Sequence, residues 1–158
     1  MTKTQWYIGA PNGVILCVDE IHGGEPLGRL YHSYRTDHQA FSNAEQMILL
    51  MEDLYDALNF PYPGTNERSF TPTKKTQTHY TEGDRIMKDD ALLSKHGDLG
   101  TFIVRVQHRQ NSSWQGRITW MEQDKTINFR SVLEMIKLIE NAVNTVSGED
   151  AEEETPNW

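Results

Sequence analysis

The chain has 158 residues, 37% of them hydrophobic, with 15 Lys and Arg against 23 Asp and Glu for a formal net charge of −8. That length suits one domain of ordinary size, or two very small ones sharing a core, and the acidic balance argues against a general nucleic-acid binder. The single cysteine, Cys17, excludes an internal disulfide and, within an apolar run, fits a buried thiol in a reducing compartment.

The charge is unevenly spread, and the spread is more informative than its total. Residues 13–58 hold two Arg against eight acids, residues 101–146 hold six Lys and Arg against four acids, and "SGEDAEEETPNW" adds five more carboxylates. An acidic first half thus faces a mildly basic second half. The start, "MTKTQWYIGAPNGV", lacks the apolar core of a secretory signal, and the longest apolar runs, "VILCV" and "MILLM", are too short to span a bilayer. A soluble, cytoplasmic protein is expected.

In chain order, "VILCVDEI" alternates with Val14, Leu16 and Val18 inward. A Gly-Gly turn in "HGGE" leads into "PLGRLYHSY", which completes a hairpin. A short third strand ends in "HQAF". Asn43 then stands three residues before Gln46, the spacing of a reciprocal capping box, and Met47, Ile48, Met51, Leu54, Tyr55 and Leu58 follow at the three-and-four spacing of an apolar helix stripe. Residues 59–100 open as a Pro-, Thr- and Gly-rich link, and "EGDRIMKDDALLSK" within them suits a short helix around Ile86, Met87, Ala91 and Leu92. Next, "TFIVRVQHR" places Phe102, Val104 and Val106 inward and Arg105, Gln107 and Arg109 outward. "QNSS" turns the chain, and "WQGRITWME" places Trp114, Ile118 and Trp120 inward and Gln115, Arg117 and Thr119 outward. After a third short strand in "KTINF", Ser131 and Glu134 repeat the capping box ahead of a stripe of Val132, Met135, Ile136, Ile139 and Val143. Residues 147–158 have the composition of an acidic disordered tail.

The second series repeats the first. A shift of 88 lays residues 14–55 on 102–143 without a gap, with nine of 42 pairs identical, among them Ile15/Ile103, Gly28/Gly116, Arg29/Arg117 and Phe41/Phe129; chance would give roughly two or three. The expected fold is therefore α+β: two similar β-β-(β)-α units, 1–58 and 101–146, arisen by internal duplication and sharing a core. Antiparallel strands carry the helices on the sheet, because neither unit can bury its helix stripe alone.

"FIVRVQHRQNSSWQGRITW", followed by "FRSVLEMIKLIENA", together with "FPYPGTNERSF", resembles a group of short, uncharacterised bacterial proteins. The resemblance covers most of the chain and implies a bacterial cytoplasmic protein, with no activity, ligand or catalytic residue attached.

Arg105, Arg109 and Arg117, with Gln107 and Gln115 beside them, are the candidate partner-binding residues. Alternation puts them on one outward face, where guanidinium groups can hold carboxylate or phosphate by charge-assisted, often bidentate bonds. The competing account is a solvated sheet face or an internal partner for the acidic half. Single-stranded nucleic acid is the alternative ligand, and it needs exposed aromatic rings and a strongly basic stripe. Trp114 and Trp120 are expected inward, which weakens it. Six histidines show no HxxxH or HExxH spacing, so no metal site is expected. The absence of GxSxG, GxxxxGK[ST] and GxGxxG argues against an enzyme and against a cofactor. The sequence thus predicts a non-catalytic binding or regulatory module working through protein contacts, self-association included.

Overall fold

The computed structural model describes residues 12–62, 70–71, 79–109 and 113–147, and among them lie six strands and three α-helices. In order they are β1 (Val14–His22), β2 (Glu25–His32), β3 (Gln39–Phe41), α1 (Ala44–Leu58), α2 (Asp89–Leu93), β4 (Gly100–His108), β5 (Gln115–Trp120), β6 (Lys125–Phe129) and α3 (Val132–Ser147). The strands form one antiparallel sheet in the order β3-β2-β1-β4-β5-β6, with α1 and α3 packed on it. The fold is α+β. The two halves join edge to edge through β1 and β4, with Ile15 directly opposite Ile103.

Local chemistry explains the hairpins. His22 pairs with Glu25, so Gly23 and Gly24 form a two-residue turn, and both have positive φ, 61° and 81°. That geometry favours glycine and matches the twist of the flanking strands. In both halves the bonding repeats at the 88-residue offset. Leu16 faces Leu30 and Val104 faces Ile118; Gly28 faces Phe41 and Gly116 faces Phe129. Each first hairpin carries a bulge, between Val18 and Glu20 and between Val106 and His108.

Both capping boxes form. The Gln46 N–H donates to Asn43 Oδ1 at 2.8 Å and the Ser42 N–H to Gln46 Oε1 at 2.7 Å. In α3 the Glu134 N–H donates to Ser131 Oγ at 3.1 Å and the Arg130 N–H to Glu134 Oε1 at 2.8 Å. The Gln46 and Glu134 N–H groups are donors that the first helical turn leaves without partners, and the return bonds fix the residue before each cap.

The main core lies between the sheet and the two long helices. Val14, Leu16, Val18, Leu30, Phe102, Val104, Val106 and Ile118 face Met47, Met51, Tyr55, Met135, Ile139 and Val143 there. Each such side chain contributes about 2 kcal/mol by leaving water.

The opposite face departs from the simple alternating pattern. Ile15, Cys17, Tyr31 and Ile103 are buried there with Leu92 and Met121, because α2 and its flanking loop lie across that half of the sheet. The Ile86 and Met87 N–H groups donate to the Ser33 carbonyl, and the Leu99 N–H donates to that of Val18. "VILCV" is therefore buried on both faces rather than one. Burial also pushes the Cys17 thiol up to about 12, so it is neutral and unreactive in the folded chain.

His32, at the end of β2, is 3% exposed. Its Nδ1 accepts the Tyr34 N–H at 3.0 Å, so the ring is neutral with its proton on Nε2. Burial, with Arg35 adding repulsion, lowers its pKa from 6.5 to about 4. The unfolded chain takes up this proton first as pH falls. The stabilisation is therefore complete above pH 6.5 and is lost as pH drops towards 4, amounting to on the order of 3 kcal/mol. Urea unfolding across that window should show the loss, and His32→Gln should flatten the slope.

Candidate functional site

The sheet face opposite α1 and α3 divides into a covered half and an open half. In the covered half, Arg29 on β2 makes a paired ion bridge to Asp19 on β1, at 2.9 Å and 3.0 Å. It also donates to the Tyr31 hydroxyl and the His96 carbonyl, both at 2.8 Å. Asp19 further accepts the Asp98 N–H at 3.1 Å. Burial acts to raise the Asp19 carboxyl, yet the bonds from Arg29 and Asp98 outweigh it and hold the group below the usual carboxylate range. The arginine of the first half is thus neutralised and roofed.

In the open half, Arg105 on β4 and Arg117 on β5 are direct cross-strand partners. At the 88-residue offset they correspond to Cys17 and Arg29, and Asp19 corresponds to Gln107. No carboxylate stands at that position. Arg105 is half-buried, whereas Arg117, Gln107, Gln115 and Asn128 are exposed. Arg117 makes no ion pair among the described residues. Arg117, exposed and without an ion pair among the described residues, can take an anion through charge-assisted bonds.

Of the five residues singled out from the sequence, the fold brings together Arg105, Arg117, Gln107 and Gln115. Arg109 lies elsewhere. The bulge between Val106 and His108 adds one residue to β4, which reverses the alternation beyond it. Arg109 consequently turns to the helix side and is 4% exposed. There it pairs with Asp56 of α1 at 3.0 Å, donates from Nε to the Pro61 carbonyl at 2.7 Å and lies over the Tyr55 ring. Thr119 does face the open side, yet it is 2% exposed, its hydroxyl bonded to that of Thr126 at 2.8 Å.

Asn128, paired with Arg117 across β5 and β6, joins the open face and was missed. The alternation of "KTINF", with Phe129 buried, carried that signal. Arg109 thus takes the side that Ile21, its counterpart at the 88-residue offset, takes in the first half, where it packs on the helix-side core.

Both tryptophans of the hairpin are withheld from the open face. Trp114 is 5% exposed and meets Tyr55 edge-on, 5.3 Å between ring centres, while Trp120 packs against the helix-side core. No group of three or more His, Cys, Asp or Glu among the described residues is placed to hold a metal ion. No described helix is long and apolar enough to cross a membrane. The arrangement defines an α+β chain with one neutralised and one uncompensated arginine position on the same sheet face. No protein-family model matches the sequence, and no solved structure matches the fold.

Proposed function

We propose that the chain is a non-catalytic binding module that takes a carboxylate-bearing protein surface on its open sheet half, with the acidic first half of a second copy as the partner. The observation that carries this reading is Arg117 opposite Arg105, at the place where the other half supplies Asp19 to Arg29. Gln107, Gln115 and Asn128 offer neutral donors and acceptors around the pair. We infer also that the two halves are copies of one strand-and-helix piece, supported by their coincident registers, bulges and capping boxes. One copy kept its arginine satisfied internally, and the other left it for an external anion.

Exposed ion pairs contribute little one at a time, so association through this face depends on several charges and weakens with salt. The sedimentation coefficient should fall between low salt and about 0.5 M salt. Arg117→Glu should sediment at low salt as the wild type does at high salt. Coefficients unmoved by salt and by Arg117→Glu would remove this reading. A labelled single-stranded oligonucleotide should give flat anisotropy at low salt, since the aromatic rings that stacking requires are buried; a steep salt-dependent rise would transfer the surface to nucleic acid instead.

A further inference from the structure

On the helix side, between α3 and the β5–β6 edge, lies a cavity of about 160 Å³ lined by Phe102, Ile118, Trp120, Ile127 and Leu138, with Lys125 and Asn141 as its polar members. Its volume is on the scale of an engineered cavity of about 150 Å³ that admits benzene, enough for the six-membered ring of an indole with the rest of the side chain at the mouth beside Ile127. The Trp120 Nε1–H is buried and has no acceptor among the described residues. Ile127, at the sheet edge, is 48% exposed.

The first half reveals what such a place holds. Trp120 corresponds to His32 at the 88-residue offset, and beside His32 sits the ring of Tyr80, 6.3 Å away between centres. Tyr80 is delivered by the chain that follows α1. Its N–H donates to the Ala57 carbonyl at 2.9 Å, and its ring stacks on Tyr34 at 4.9 Å with an interplanar angle of 17°. The chain that follows α3 is "GEDAEEETPNW", eleven residues with five carboxylates and one aromatic side chain, Trp158.

We propose that this cavity is the seat of Trp158, an aromatic side chain from beyond α3 placed as Tyr80, from beyond α1, is placed in the first half. The reach is ample. Ala142, which also lines the cavity, lies about 7 Å of helix rise before Ser147, and eleven further residues extend up to about 36 Å. The carboxylates preceding Trp158 complement Lys125 beside the cavity, and a backbone carbonyl of the docked segment would supply the acceptor that Trp120 lacks. An indole withdrawn from water there gains the apolar transfer energy that an exposed one forgoes.

The test uses the full chain. The Trp158 contribution, taken as wild type minus Trp158→Phe, should emit to the blue of free indole and resist acrylamide quenching. Trp158→Ala should bind the apolar dye ANS several-fold more strongly at the vacated cavity. Ile127→Lys, at an exposed position that folding tolerates, should expel the indole and give a quenchable Trp158. A fully quenchable Trp158 in the wild type, with dye binding unchanged in Trp158→Ala, overturns the proposal. Protection should also be independent of protein concentration; protection that vanishes on dilution overturns it as well, because the indole would then belong to a second copy.

Discussion

Asp56→Ala should destabilise the fold by about 3 kcal/mol, and by more than Arg109→Met, although both remove the same ion pair. The asymmetry follows from burial: the Arg109 side chain is 5% exposed and that of Asp56 is 32% exposed. Without Asp56, a guanidinium remains sealed between Tyr55 and the Pro61 carbonyl with its main counter-charge gone. Without Arg109, the carboxylate still reaches water, and methionine refills most of the vacated volume at a cost of about 1–2 kcal/mol. Urea unfolding of the two variants and of the double variant measures the difference. Equal losses, or a larger one for Arg109→Met, would show that the pair acts by packing alone.

Gly28→Ala and Gly116→Ala should be more damaging still, each costing about 4 kcal/mol or preventing folding. A Cβ at Gly28 would land on the Cys17 carbonyl oxygen, and one at Gly116 on the Arg105 carbonyl oxygen. Both obstacles are backbone in the middle of a strand pair, so no rotamer change clears them. Gly83→Ala is the control, since a Cβ there has nothing closer than the Thr81 hydroxyl at 3.9 Å. Thermal melts should separate the control from the two strand glycines by about 8–16 °C, on the scale of roughly 2–4 °C per kcal/mol for a chain of this size. A small effect at either glycine would mean that the strands can separate locally without loss of the sheet.

Most of the architecture was legible because it rests on periodicity. Period-two alternation placed Val14, Leu16 and Val18 on the buried side, and the three-and-four spacing of Met47, Met51 and Tyr55 placed α1 on the sheet. The capping residues Asn43 and Ser131 were readable from spacing alone. Two things were not. Pattern says which way a residue points, yet not what lies across the other face, so the burial of Ile15 and Ile103 under Leu92 could not be foreseen. A bulge, meanwhile, changes the parity of a strand without changing its composition. That is why Arg109 left the arginine face for the side of Asp56, and why only Arg105 and Arg117 remain together of the three. The residues 110–112 of the "QNSS" turn and the tail from residue 148 lie outside the described residues.

The seam at Ile15 and Ile103 sets the order in which the molecule assembles. Each hairpin closes over a handful of residues, whereas this seam joins strands 88 positions apart, so its loop-closure entropy is the largest to overcome. On contact order, hairpins and helices should therefore form within each half before the two central strands pair. Until they do, each half presents a bare strand edge, and the time spent in that state governs how often a nascent chain pairs with the wrong neighbour.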